Sequence, residues 1–176
     1  MKFPKILFFL FLLQIHDAQL DAYLDYKSPF HPTISGNGMV VSQNLESSKI
    51  GTMILESGGN AVDAAVAVGF SLTTTLPRAG NIGGGGFMLV YIKETEELFS
   101  IDYRSRSSLN SNLEDLFGSK SPAQIQDDDY DLTKYDYKAS AVPGTVYGLL
   151  EAHEKFGDLP LEKVLQPVID QASCLL

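Results

Sequence analysis

Residues 58–104 read GGNAVDAAVAVGFSLTTTLPRAGNIGGGGFMLVYIKETEELFSIDYR. The order is a buried helix, a glycine-rich turn, a hairpin of two apolar strands and a charged exit. Asn60 follows two glycines and precedes small apolar residues, so it serves as an N-cap whose side-chain oxygen accepts from the first turn. Asp63 lies three residues on, where its negative charge suits the positive end of the helix. The run AVDAAVAVGF (61–70) is apolar on almost every face, the mark of a buried helix. Pro77 ends the pattern, because the residue before a proline is biased away from the helical region.

Gly83–Gly86 form a tetraglycine. Phosphate loops run strand, glycines, helix, so that the helix N-terminus faces the anion. Here the glycines follow a helix and precede a strand, and no Gly-Lys-Ser/Thr occurs. They are therefore expected to take positive φ and to let the backbone pass close to another element. FMLVYIK (87–93) and LFSIDYR (98–104) flank Glu94-Thr95-Glu96-Glu97, a hairpin signal with an acidic turn. Residues 87–92 are apolar at every position, which predicts a strand covered on both faces. Helices layered over a sheet follow.

Arg104 ends the second strand and Arg106 comes two residues later, on the same face of an extended chain. Such a pair can clamp a carboxylate in bidentate fashion. On spacing alone, two solvated surface arginines are the preferred reading.

Taken together, GGNAVDAAVAVGFSL, GNIGGGGFMLVY and IDYR resemble the large-subunit segment of γ-glutamyltransferases (glutathione hydrolases). Gly38-Met39-Val40-Val41-Ser42 upstream, and Ala141–Val146 and Leu165-Gln166-Pro167 downstream, resemble the same family, from about Gly36 to about Ala172. The resemblance implies an α+β fold: an N-terminal nucleophile hydrolase-type αββα sandwich, incomplete here. It implies a precursor that cuts itself into a large and a small subunit. The catalytic threonine heads the small subunit and attacks the γ-glutamyl carbonyl of glutathione, and the acyl group then passes to water or an amino acid. The family's Asp-Phe/Tyr-Arg arginine, which holds the substrate's α-carboxylate, maps onto Arg104. The tetraglycine gains no catalytic role, since the family's oxyanion donors lie in the small subunit. No cofactor is expected. The sequence departs from the family twice. The usual Glu-x-Ala-Pro after the arginine is Ser105-Arg106-Ser107-Ser108, and Ser-Ser-His-Pro is Ser42-Gln43-Asn44-Leu45, a change at a helix start that points to capping.

The chain has 176 residues, enough for one domain with a core but fewer than the family's precursor needs. The family's Thr-Thr-His nucleophile motif is absent. Thr73-Thr74-Thr75 run into Leu76 and Pro77, and an internal threonine has no free α-amine to act as its base. No residue of this chain is therefore assigned as catalytic. The chain is expected to be inactive alone: a fragment, a truncated gene product or a short isoform that needs the small subunit as partner. A non-catalytic binding or regulatory role, or a related acylase activity on the same fold, are the alternatives.

The formal net charge of −9 argues against nucleic acid as a partner. Cys174 is the single cysteine and cannot form an internal disulfide. His16, His31 and His153 are scattered, with no metal-ligand spacing, and His153 reads as a surface position on a helix.

Residues 1–20 read as a signal segment, with Lys2 and Lys5 before the apolar run 6–13, which is too short to span a bilayer stably. Cleavage after Ala18 is expected, with a retained signal anchor as the alternative. The membrane is met only through that anchor, and the chain is expected to be secreted or held at the cell surface. Residues 21–37 read as a linker and 38–176 as the partial large-subunit domain, starting with a strand at Met39-Val40-Val41. Leu45 to Ser57 show helical spacing closed by Gly58. Residues 110–138 lose periodicity, and Asp127–Asp131 read as a solvated loop lacking an EF-hand glycine. Thr145 is expected to cap a helix ended by Gly157, with Val146, Leu149, Leu150 and His153 on one side. A second helix runs from Leu161 to Ala172, with Val164, Leu165, Val168 and Ile169 as its stripe, left partly exposed. No Asn-x-Ser/Thr sequon occurs, so N-linked sugar is not expected.

Overall fold

The computed structural model describes residues 34–126 and 136–174. The expected signal segment, most of the linker and the Asp127–Asp131 run lie outside the described residues. From Asn37 onward the chain forms one compact unit. Its elements, in order, are α1 (Leu45–Glu56), α2 (Ala61–Thr75), β1 (Phe87–Ile92), β2 (Glu97–Asp102), α3 (Leu113–Phe117), α4 (Thr145–Phe156) and α5 (Leu161–Cys174).

Local chemistry sets the ends of the helices. The Asn44 side chain accepts from the Glu46 and Ser47 amides to start α1, so the departure at 42–45 is indeed a cap. Gly58, at φ +92°, ends α1. Its amide donates to the Leu55 carbonyl and that of Gly59 to Ile54, the paired bonds of a Schellman turn. Asn60 and Asp63 close a capping box at the start of α2.

α2 is the centre. It packs on α1, α4 and α5, burying Val62, Ala64, Val66, Ala67 and Val68. The contact with α1 is close: a Cβ at Gly51 would stand 2.7 Å from both Val40 and Val68. A polar seam crosses the three helices. The Ser47 hydroxyl meets Ser71 Oγ at 2.7 Å and Thr75 Oγ1 at 2.9 Å, and Ser71 donates to Gln171 Oε1 at 2.7 Å. Ser47 and Ser71 are fully buried, and these bonds satisfy them.

β1 and β2 form an antiparallel hairpin with Met88 opposite Ile101 and Val90 opposite Phe99. Its four-residue turn is 93–96, one residue earlier than the sequence suggests, with Glu96 at φ +57°. Val90 and Ile101 join the core, with Met88, Ile92, Phe99 and Tyr103 packed against it.

Several expectations are corrected. β1 is covered on one face only: Phe87, Leu89 and Tyr91 are 63%, 71% and 60% exposed. A run apolar at every position marks two faces that prefer burial, and the described residues supply cover for one. Met39-Val40-Val41 form no strand, because the only described sheet is the two-stranded hairpin and they have no partner in it. Val40 still packs against the core. No residue of the tetraglycine has positive φ, so close approach alone accounts for it. Residues 110–126 are not featureless: Asn112 caps the short α3. α4 is capped not by Thr145 but at Gly144, and its buried face is Gly148, Leu149 and Ala152, with Val146 turned partly outward. In α5, Val164 and Val168 are buried and Ile169 is exposed, as the partly exposed stripe predicts.

Candidate functional site

Arg104 stands two residues beyond β2, which ends at Asp102 rather than at the arginine. The chain here is fixed from three sides. Tyr103 and Gly86 exchange both backbone bonds, at 3.1 and 3.3 Å. Asp102 Oδ1 accepts from the Arg104 amide at 3.0 Å. Arg106 and Val142 exchange both backbone bonds, at 3.1 and 2.7 Å. The glycines make this packing feasible. A Cβ at Gly85 would run into the Tyr103–Ser105 backbone, and one at Gly144 into the Tyr103 carbonyl.

The Gly84 carbonyl accepts from the amides of Gly144 and Thr145, at 2.8 and 3.1 Å. The glycine loop therefore caps α4 and joins its N-terminus to the hairpin. Two of the amides at that N-terminus are thus engaged by the glycine loop itself.

α4 then runs beside the strand exit, with Gly148 pressed against the Tyr103 ring. Burial pushes the Tyr103 phenol above its ordinary pKa, so it stays protonated at neutral pH and is no general base. Between the strand exit and α4 lies a cavity of about 450 Å3. Arg104 and Arg106 line one side, and Tyr147, Glu151 and Lys155, spaced along one face of α4, line the other. Glu151 Oε1 pairs with Lys155 Nζ at 2.6 Å. The hydrogen bond from Lys155, followed by one from Tyr147, holds the Glu151 carboxyl below its usual range. Lys155 is raised in turn by Glu151. Among the described residues, neither arginine's guanidinium is engaged in an ion pair or hydrogen bond.

The structure thus brings Arg104 and Arg106 to one cavity, as the spacing predicts. It adds Tyr147, Glu151 and Lys155, which the sequence reading missed because only the apolar stripe of α4 was followed. Their spacing of four residues on its polar face was the available signal. A larger cleft of about 740 Å3, between α2 and β1, is lined mainly by apolar side chains.

Ser100 is the aliphatic hydroxyl that lines the cavity, and no histidine lines it beside that serine. The hydroxyls of Thr73, Thr74 and Thr75 donate to the Phe70 and Ser71 carbonyls at the end of α2. His153 is not a surface residue, as the sequence suggested. Its side chain is 14% exposed, and Nε2 lies 2.8 Å from the Leu159 carbonyl and 3.6 Å from Asp63 Oδ1, where it latches α4 to the following turn. Cys174 is exposed and free. Among the described residues no cluster of three or more His, Cys, Asp or Glu side chains is placed to hold a metal, and no helix is long and apolar enough to cross a membrane.

The cavity thus sets the cations Arg104, Arg106 and Lys155 beside the carboxylates of Asp102 and Glu151. Residues 47–174 match the family described as Gamma-glutamyltranspeptidase. The chain is 41% identical over 143 residues to the glutathione hydrolase proenzyme of Escherichia coli K12, covering 81% of this chain and 24% of that protein. The corresponding proenzyme of Pseudomonas aeruginosa is 41% identical over 145 residues, covering 82% and 25%. The crystal structure of Helicobacter pylori gamma-glutamyltranspeptidase superimposes with a TM-score of 0.69 at 34% identity, covering 81% of this chain and 39% of that one. The Pseudomonas nitroreducens gamma-glutamyltranspeptidase gives 0.66 at 39% identity, covering 80% and 39%. The described elements are thus part of an N-terminal nucleophile hydrolase-type αββα sandwich, and the chain spans about a quarter of the length of these curated relatives.

Proposed function

The chain belongs to the gamma-glutamyltranspeptidase family, and from that premise we propose that it supplies the carboxylate-holding wall of an enzyme that cleaves the γ-glutamyl bond of glutathione and passes the glutamyl group to water or an amino acid. One observation carries the proposal: Arg104 presents an unengaged guanidinium to a cavity while its own amide is held by Asp102 and its neighbours Tyr103 and Arg106 are pinned by Gly86 and Val142. A planar fork on a fixed backbone suits bidentate capture of a carboxylate. The α-carboxylate of a γ-glutamyl group held there fixes where the γ-carbonyl lies. The attacking threonine then comes from the small subunit of the same precursor, which is the partner this chain needs. The role of this chain is to orient substrate, and orientation converts binding into rate.

A charge-assisted pair of this kind contributes about 1.5–3 kcal/mol. In the full-length protein, Arg104→Gln is expected to raise KM for glutathione about 10- to 100-fold. An unchanged KM removes Arg104 from the site. The purified 176-residue chain alone is expected not to hydrolyse glutathione, and measured hydrolysis by it would refute the division of labour.

Residues 1–20 carry the proposal about location: a signal segment, cleaved or kept as an anchor, that sends the chain out of the cytosol or to the cell surface. Sequencing the N-terminus of the exported product checks it. An intact Met1 in a cytosolic pool counts against it.

A further inference from the structure

We propose that Arg106 is a second anion-binding group of this cavity, so that the ligand preferred is a γ-glutamyl compound bearing a second carboxylate. This rests on the reading of Arg104 given above.

Arg104 and Arg106 are exposed and alternate with the half-buried Tyr103 and Ser105, so both side chains leave the chain on the same side. Both line the same cavity. Two residues of extended chain separate their Cα atoms by about 7 Å. The two backbone bonds with Val142 fix Arg106 in place, as those with Gly86 fix Tyr103.

The acidic groups of the wall do not answer this charge. Glu151 is taken by Lys155 at 2.6 Å. Asp102 Oδ1 accepts from a backbone amide, not from a guanidinium. The wall therefore holds Arg104, Arg106 and Lys155 against Asp102 and Glu151, a local excess of positive charge in a chain whose formal net charge is −9. Two unengaged cations facing one void repel each other, and a dianion relieves that repulsion at both ends. A single carboxylate on Arg104 leaves Arg106 unanswered. A γ-glutamyl peptide with a free C-terminal carboxylate can meet both, and a γ-glutamyl amide cannot.

The test is a set of titrations of the purified 176-residue chain followed by NMR. γ-Glutamylmethylamide carries one carboxylate, γ-glutamylglycine two, and glutarate two without the amino group. The unaltered chain is expected to bind γ-glutamylglycine about tenfold more tightly than the methylamide. In Arg106→Gln that preference disappears, while affinity for the methylamide stays within about twofold. In Arg106→Lys, which keeps the charge, part of the preference remains. Arg104→Gln weakens both γ-glutamyl compounds. Circular dichroism of each variant confirms that the fold is kept. A preference that survives Arg106→Gln, or an equal loss for both probes, overturns the proposal. Methylamide binding that depends on Arg104 without any gain from the second carboxylate spares the functional reading and sinks this one. Arg106-dependent binding of glutarate, with neither γ-glutamyl compound bound, keeps the two-cation site and sinks the γ-glutamyl reading. Binding of no probe sinks both.

Discussion

Asp63 is fully buried in the first turn of α2. Its Oδ2 accepts from the amides of Asn60, Asp158 and Leu159, at 3.0, 3.1 and 3.2 Å. Oδ1 is buried and without a hydrogen bond, since His153 Nε2 at 3.6 Å is too far for one. The sequence placed this carboxylate correctly at a helix start but read it as a dipole partner, an effect of under about 1 kcal/mol at an exposed site. The structure makes it an acceptor that ties α2 to the turn between α4 and α5, and the two amides it reaches there are 95 and 96 residues away. Three amides lose their acceptor if it is removed, at about 1–3 kcal/mol each where burial persists. Asp63→Ala is therefore expected to lower stability by about 3 kcal/mol or more in urea denaturation. Asp63→Asn keeps one acceptor oxygen and is expected to cost about 1 kcal/mol. Equal losses for the two variants would show that the charge, not the acceptor, matters.

At the scale of elements, the site depends on how closely α4 approaches the strand exit. Gly148 is where they touch, and a Cβ there would fall within the Tyr103 side chain. Two effects of opposite sign compete in Gly148→Ala. Helix propensity favours alanine by about 1 kcal/mol. Overpacking against a ring held by backbone bonds costs about 1–3 kcal/mol, and α4 cannot retreat without breaking the bonds from Gly84. Steric cost wins, so Gly148→Ala is expected to destabilise by about 1–2 kcal/mol and to weaken carboxylate binding, because Tyr103 carries Arg104 with it. Made on a Tyr103→Ala background, the same substitution should become neutral or stabilising. A double-mutant cycle showing no coupling would place the strain elsewhere. α1, α2, α4, α5 and the hairpin were legible in the sequence because burial period, caps and breakers are local signals: Asn44, Asn60, Gly58 and Pro77 each mark an end. The strand expected at Met39–Val41 was not, since a strand exists only by pairing and its partner cannot be read from those residues. The cap of α4 was hidden for the same reason, because its acceptor is the carbonyl of Gly84, sixty residues earlier.

At the scale of the molecule, half of the site was legible. The IDYR block points to Arg104, and four-residue spacing puts Tyr147, Glu151 and Lys155 on one face of α4, but that this face stands opposite Arg104 arises from packing over long sequence separation, which no local pattern encodes. The same limit governs the outer face of the hairpin. Phe87, Leu89, Tyr91 and Leu98 lie there together, with Tyr91 and Leu98 cross-strand partners, and Leu98 is 67% exposed. Full burial of each such side chain is worth about 1.5–3 kcal/mol. The described hairpin has no further strand on either edge, and unpaired edges invite pairing with another chain. Apolar face and open edges act in the same direction, so the isolated chain is expected to self-associate as its concentration rises, seen by sedimentation velocity. The pair Leu89→Lys with Leu98→Glu places opposite charges at diagonal positions of that face. It should suppress association while leaving the thermal midpoint nearly unchanged, because neither side chain belongs to the core. Val90→Lys, on the inner face and 7% exposed, should instead unfold the hairpin, since it puts a charge among buried neighbours. A chain that stays monomeric at every concentration, or a Leu89/Leu98 pair that melts as early as Val90→Lys, would mean that the outer face is not the uncovered side of the sheet.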